Sequence, residues 1–284
     1  MSPALLTPST AYACIDFLAE ISEQNMSVSE LKSLRFSSAS AQTVLENVSA
    51  LGWIKEDSDG SVSIAHRGQE CLELNHATEQ LRFLLTDYFF LRQDPWLQLA
   101  RRGRIHVLLQ APPEISQLLH EAELAEGEND EVVRFWDDVA DRVRGDKDRN
   151  RTEVGRTGER LSLLYETKRT GKKPRWVALD SDEFGYDLLS IASASDPAPM
   201  KIECKCSERP LGEATLYLTR NEWETADKSE RYCFHLWNTA SHKTRLAVIC
   251  VEDMRPHVPE NRRSGSWETA QVPFLAFEQL FSLG

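Results

Sequence analysis

The chain has 284 residues, of which 41% are hydrophobic, and a formal net charge of −12. This length allows two or three domains with packed cores. No run of about 18 apolar residues occurs, and the first residues lack the basic segment and apolar stretch of a signal peptide, so we expect a cytoplasmic protein with no membrane contact. The six cysteines are dispersed, which indicates reduced core thiols and argues against disulfides or a zinc site.

The amino-terminal segment predicts three helices followed by a hairpin. Apolar spacing predicts helices over residues 12–23 and 40–51, and a capping pattern at Ser27 predicts another between them. Two short strands, at 52–55 and 61–64, flank a turn at 57–60. A closing helix begins at His66. This order resembles winged-helix proteins, so residues 1–76 are predicted to form a winged-helix-like domain.

The charge of this segment argues against a DNA-binding role. Residues 1–75 contain ten acidic and four basic residues, and the helix at 40–51 has no basic residue. Neutralisation of phosphates supplies most of the non-specific affinity of a protein for DNA. We therefore expect the acidic amino-terminal half to contact protein, either a second copy in a homodimer or a partner subunit.

The sequence pattern over residues 77–150 predicts a helical connector. A densely apolar stretch over 81–91 is broken at Asp94-Pro95, and a further amphipathic helix follows from residue 128. The run at 144–151 is almost wholly polar with mixed charge, which predicts a domain boundary there. Residues 151–284 then form the last domain, whose 19 basic and 20 acidic residues nearly balance.

Two carboxylates and an amine lie close together in the sequence of this last domain. Asp187 opens a predicted strand, and a turn at 195–199 leads to a second strand that carries Glu203 and Lys205. Because side chains alternate along a strand, Glu203 and Lys205 share one face. The hairpin brings Asp187 beside them, and two convergent carboxylates suit a hard cation such as Mg²⁺. The alternative is a strand cap at Asp187 and an ordinary surface ion pair.

The order of short motifs around these residues is distinctive. The motifs are Gly155-Arg156-Thr157-Gly158-Glu159, Gly185-Tyr186-Asp187, Glu203-Cys204-Lys205 and Asn221-Glu222. Over roughly residues 152 to 240 the chain resembles the C-terminal domain of NO VEIN proteins, a branch of the PD-(D/E)xK restriction-endonuclease-like superfamily. The resemblance implies that Asp187 and Glu203 bind metal and that Lys205 is the catalytic lysine. Tyr186 replaces the superfamily's proline before the first acid.

The resemblance also assigns Glu159 as a helix-borne catalytic acid that binds metal beside Asp187 and Glu203, completing the metal shell or holding a second ion. The alternative for Glu159 is an exposed acid in the first turn of a helix, where the helix dipole favours negative charge. Four basic residues follow this helix: Lys168, Arg169, Lys172 and Lys173. We expect them to hold a nucleic-acid backbone, the alternative being a solvated loop.

Taken together, these features predict an α+β protein with an amino-terminal winged helix, a helical connector and a restriction-endonuclease-like α/β/α domain with a mixed central sheet over 151–284. The implied activity is Mg²⁺-dependent hydrolysis of DNA phosphodiesters, with Mn²⁺ as the alternative ion, in bacterial restriction or antiphage defence. One alternative is a non-catalytic nuclease-fold adaptor in a multi-protein defence or repair complex. Another is a winged-helix transcription regulator.

Overall fold

The computed structural model divides the chain into two compact units, residues 1–144 and 145–284. The structure describes residues 5–23, 26–27, 30–31, 36, 39–56, 61–92, 94–144, 149–259 and 267–283.

The first unit is mainly helical with a small antiparallel sheet. Its helices are α1 (Pro8–Glu23), α2 (Ala41–Ala50), α3 (His66–Leu72), α4 (Ala77–Leu91), α5 (Arg104–Gln110), α6 (Pro113–Glu121) and α7 (Asp130–Arg144), with a 3-10 segment at Pro95–Arg102. Its strands are β1 (Met26–Ser27), β2 (Ile54–Glu56) and β3 (Ser61–Ile64), in the order β1-β3-β2. Ser40 caps α2, because its side chain accepts a hydrogen bond from the backbone N–H of Thr43.

The helix predicted at 40–51 and the strands on either side of 57–60 are present. Most of the helix predicted after Ser27, and the turn at 57–60, lie outside the described residues. A single apolar core runs across the expected boundary between residues 76 and 77. The backbone N–H of Leu6, for example, donates to the hydroxyl of Tyr88 over 3.2 Å. Residues on both sides of that boundary therefore share one unit, which ends at Arg144.

A partly buried polar network holds the hairpin and α3 against α4. Trp53 is fully buried, and its Nε1–H donates to Oδ2 of Asp87 over 2.8 Å. Arg67 donates to the same carboxylate through Nε and Nη2, at 3.0 and 2.8 Å, and its guanidinium lies 3.7 Å from the ring centroid of Phe83. Asp87 thus satisfies a buried indole and an arginine at once.

The second unit begins with a long helix and continues into a sheet. Its helices are α8 (Arg149–Thr170), α9 (Arg220–Lys228) and α10 (Val251–Met254), with 3-10 segments at Val177–Leu179, Asp182–Phe184, Arg255–His257 and Phe274–Leu280. Its strands are β4 (Arg175–Trp176), β5 (Leu188–Ile191), β6 (Pro199–Ser207), β7 (Thr215–Thr219), β8 (Tyr232–Asn238), β9 (Arg245–Cys250), β10 (Thr269–Pro273) and β11 (Ser282–Leu283).

Six of these strands form one mixed sheet in the order β11-β9-β8-β6-β5-β4. Strands β6 and β8 pair in parallel, and the other neighbours in this sheet are antiparallel. Strands β7 and β10 form a separate antiparallel pair. Helix α8 packs on β5, β6 and β8, while an apolar cluster that includes Phe234, Leu236 and Ile249 lies on the other side of the sheet. The unit is therefore α+β with a mixed sheet.

Helix α8 approaches β6 closely at a glycine. A Cβ added to Gly158 would lie 2.8 Å from Cβ of Cys206, which is closer than side-chain carbons normally come. Glycine therefore permits this contact between helix and sheet. Across both units, the described residues contain no helix that is long and apolar enough to cross a membrane.

Candidate active site

Asp187 lies where the chain enters β5, and three contacts fix its position. Gly185 has a φ of 70°, and a Cβ at this residue would overlap the side chain of Thr225, so only glycine fits. The hydroxyl of Tyr232 donates to the carbonyl of Gly185 over 2.8 Å. The Asp187 carboxylate accepts the backbone N–H of Cys204 over 2.7 Å. Asp187, one residue before β5, is thus bonded to β6 midway between Glu203 and Lys205.

Glu203 and Lys205 share one face of β6, as strand alternation predicts. Their register partners on β8 are Phe234 and Leu236, which belong to the apolar cluster. Nζ of Lys205 lies 2.8 Å from Oε1 of Glu203, and the two side chains are only 18% and 4% exposed. The alternative of a surface ion pair is therefore wrong, because this pair is buried.

A second acid holds the same lysine. Oε1 of Glu222, at the start of α9, lies 3.0 Å from Nζ of Lys205. The sequence placed Glu222 in a family motif but did not predict this contact, since the two residues lie on separate elements. Lys205 is therefore held between two carboxylates.

Glu159 is buried in the middle of α8. The helix begins at Arg149, ten residues earlier, so the alternative of an exposed acid in a first helical turn is wrong. Glycines at 155 and 158 made the helix look shorter, but packing on the sheet overrides their low helix propensity. Nη1 of Arg156 lies 2.7 Å from Oε2 of Glu159, and the indole N–H of Trp176 donates to the same oxygen.

The electrostatics show which acids act on one another. The pKa of Asp187 is raised to about 7, mainly by burial and next by the nearby charge of Glu159. Burial, followed by the charges of Asp187 and Glu222, raises the pKa of Glu203 well above its ordinary value. Burial alone would lower the pKa of Lys205, but the surrounding carboxylates outweigh it and raise this pKa. Glu159 therefore acts on Asp187 from the α8 side.

A buried polar network under α8 was missed from the sequence. Nδ1 of His235 on β8 lies 3.1 Å from Oγ of Ser162, and Nε2 lies 3.9 Å from Oε1 of Glu166. The hydroxyl of Ser190 donates to Glu166 over 2.5 Å. The spacing of 159, 162 and 166 was the available signal, because positions i, i+3 and i+7 share one helix face. Burial lowers the pKa of His235 to about 4, so its ring is neutral near pH 7.

The four basic residues after Glu159 lie apart from this cluster of acids. Lys168, Arg169, Lys172 and Lys173 are exposed. Residue 169 is ten positions beyond Glu159, or about 15 Å along the helix axis. The guanidinium of Arg169 is engaged by both carboxylate oxygens of Glu166, at 2.7 and 2.6 Å, and by the carbonyls of Ile191 and Ala192. These contacts of Arg169 tie α8 to the end of β5, and its expected phosphate contact stays a prediction.

The donors present suit a hard cation but do not form a closed cage. Within the described residues, no group of three or more His, Cys, Asp or Glu side chains is placed to hold a metal ion. The charge of Asp187 adds to the effect of burial in raising the pKa of Glu203, which indicates that the two carboxylates lie near each other. Mg²⁺ commonly uses one or two protein carboxylates and fills its other positions with water and substrate phosphate. The residues therefore fit Mg²⁺ bound in that way.

Comparison with known families supplies one match. The family model described as Protein NO VEIN, C-terminal, matches residues 158–249. The chain thus carries a NO VEIN C-terminal domain, which confirms the resemblance that the motifs indicated. The matched range contains every acid of the site and Lys205. Neither the curated proteins nor the solved structures provide a match to this chain.

Proposed function

We propose that the second unit is a restriction-endonuclease-like nuclease domain that hydrolyses DNA phosphodiesters with Mg²⁺, or with Mn²⁺ as the alternative ion. The observation that carries the proposal is the hydrogen bond from Cys204 N–H to the Asp187 carboxylate, which joins the two strands of the D…ExK pattern. The NO VEIN match supports it, because the matched range spans the whole pattern.

In this proposal Asp187 and Glu203 hold the cation. When bound, such an ion polarises the scissile phosphate and lowers the pKa of a water ligand. Lys205 donates to the attacking water or to a phosphate oxygen, since a compact ammonium on a flexible stem reaches either position. Glu159, which is bonded to Arg156 and Trp176, places a negative charge near Asp187 on the α8 side.

The test uses three substitutions and one control in the full chain. Asp187→Asn, Glu203→Gln and Lys205→Ala should each slow Mg²⁺-dependent cleavage by about 100-fold or more, the size typical of losing one proton-transfer or charge-stabilising group. Glu208→Gln is the matched control, because Glu208 follows β6 directly and is exposed. Cleavage of labelled duplex DNA, single-stranded DNA and RNA would be followed with Mg²⁺ and with chelator. Full activity in all three variants would refute the proposal.

We also propose that Lys168, Lys172 and Lys173 hold the nucleic-acid backbone. Replacing these three lysines with glutamine should weaken binding to unrelated sequences alike and lower the log-log salt slope by about one unit for each lost phosphate contact. Lys243→Gln serves as an exposed lysine elsewhere in the domain. Arg169 is left unchanged, since its substitution would disturb the contacts with Glu166. An unchanged salt slope would show that these three lysines do not contact the phosphates.

A non-catalytic adaptor is the second candidate function. It is favoured by the two carboxylates that already bond Lys205 and by the lack of a three-ligand metal group in the described parts of the chain. We propose bacterial restriction or antiphage defence as the role of the nuclease, and a multi-protein defence or repair complex as the setting of the adaptor. A wild-type protein that binds nucleic acid or a partner but cleaves none of the three substrates would favour the adaptor.

The first unit supports a winged-helix proposal. Helix α2, the hairpin β2–β3 and helix α3 follow in the expected order, and β1 adds to the hairpin. Its acidic composition leads us to propose protein contact for this unit, through a homodimer or a partner subunit. Light scattering and crosslinking of the full chain test the homodimer. A monomer whose DNA crosslinks map to residues 40–51 would favour a transcription regulator instead.

A further inference from the structure

Glu222 uses its two carboxylate oxygens for two different contacts. Oε2 accepts the backbone N–H of Thr219 over 2.7 Å, and the Thr219 hydroxyl accepts the N–H of Glu222 in return. This reciprocal arrangement is a capping box at the start of α9. Oε1 meanwhile accepts a hydrogen bond from Nζ of Lys205 over 3.0 Å. The cap therefore fixes the carboxylate that holds the lysine.

Such an anchor matters because a lysine side chain is long and flexible. Glu203 also lies within hydrogen-bond distance of Nζ, at 2.8 Å, but the proposed function uses Glu203 to hold a cation. A carboxylate that shares its charge with a metal ion holds an ammonium less tightly. Glu222 offers a second carboxylate that is only 17% exposed, where water weakens a charge-assisted hydrogen bond less than at the surface.

We propose that Glu222 is a positioning residue of this site, which holds the Lys205 ammonium in place while Glu203 binds the cation. This inference rests on the proposed nuclease function and adds a residue to its machinery. Glu222 acts through Lys205 and contacts neither substrate nor metal. Its geometric part, the anchoring of Lys205, can be measured without any activity.

Two substitutions separate the two contacts of Glu222. Glu222→Gln preserves the capping box, because glutamine is also a capping-box residue at this position, but removes the charge that holds Lys205. Thr219→Ala removes the hydroxyl that caps α9 but keeps the backbone N–H that holds Oε2 of Glu222. We expect Thr219→Ala to lower the melting temperature by about 2–6 °C and Glu222→Gln to lower it less.

The activity readout uses the full chain with Mg²⁺ and a DNA substrate. In Glu222→Gln, kcat should fall about 10- to 100-fold, the range for residues that orient a catalytic group, with KM nearly unchanged. In Thr219→Ala, kcat should stay close to wild type despite the lower melting temperature. Equal losses of kcat in both variants would overturn the proposal, because they would follow fold stability and not the anchor.

The second readout is the NMR signal of the Lys205 ammonium, assigned by its disappearance in Lys205→Ala. An amine held by a buried carboxylate exchanges its protons slowly, so with Mg²⁺ present to engage Glu203 the signal should appear in wild type and Thr219→Ala and be lost in Glu222→Gln. A signal that persists in Glu222→Gln would overturn the anchor. If wild type cleaves no substrate but these signals behave as expected, the nuclease proposal fails and the anchoring by Glu222 stands.

Discussion

Acidification tests the buried network beneath α8. His235 is 1% exposed, and its pKa is lowered from 6.5 to about 4 by burial, with Glu166 opposing and Arg169 adding to this effect. Its folded pKa lies below its unfolded pKa, so between these values the unfolded chain binds more protons. Stability that is fully present above pH 6.5 is therefore lost as the pH falls toward 4.

The size of this loss follows from the shift. At about 1.4 kcal/mol per pKa unit, the contribution of His235 to the free energy of unfolding should drop by about 2 kcal/mol between pH 7.5 and pH 5 and by about 3 kcal/mol below pH 4. The imidazole ring cannot easily turn out to solvent when it is protonated, because Ser162 and Glu166 of α8 lie against it. Protonation would then weaken the packing of the helix that carries Glu159.

Urea unfolding from pH 7.5 to 5, followed by tryptophan fluorescence, measures this effect. His235→Gln lacks the titrating group. Between pH 7.5 and 5 its free energy of unfolding should therefore fall by about 2 kcal/mol less than that of wild type, whatever its stability at pH 7.5. His66→Gln is the control, because the His66 side chain is 91% exposed. If wild type and His235→Gln change in parallel from pH 7.5 to 5, the assignment of the pH dependence to His235 is wrong.

Two further substitutions test packing in the two units. Gly158→Ala should push α8 away from Cys206 and leave the domain about 1–3 kcal/mol less stable than Gly155→Ala, whose added Cβ meets only a carboxylate oxygen at 4.0 Å. Equal stability of the two variants in urea unfolding would contradict a close contact at residue 158. Asp87→Ala should destabilise the first unit by about 2–4 kcal/mol, because the Trp53 indole loses its acceptor inside the core. Thermal unfolding that is unchanged in this variant would show that water replaces the carboxylate.

The sequence predicted the parts of the site that depend on local backbone geometry. Strand alternation is sufficient to place Glu203 and Lys205 on one face. The turn before β6 is sufficient to bring Asp187 beside them, and the bond between Ser193 N–H and the Asp196 carbonyl, at 3.1 Å, closes it. These features need only a few neighbouring residues, so they can be inferred without knowledge of the tertiary fold.

Features that depend on distant contacts were not predictable in the same way. Ser162 and Glu166 are polar residues on a helix, a pattern that usually indicates exposure, yet their partners on β8 bury them. The Lys205–Glu222 contact requires α9 to return to β6, which no local pattern specifies. The shared core of the first unit similarly depends on contacts such as Leu6 to Tyr88, between residues 82 positions apart.

The parallel pairing of β6 with β8 has a consequence for synthesis of the chain. Asp187, Glu203 and Lys205 leave the ribosome together within one hairpin, but Phe234 and Leu236, which lie beside the last two, emerge about thirty residues later. Pairing over such a separation is slower than hairpin closure, since a long loop must be ordered first. The nascent hairpin therefore exposes its acids to water, where their pKa values are ordinary. The site becomes buried only when β8 pairs with β6.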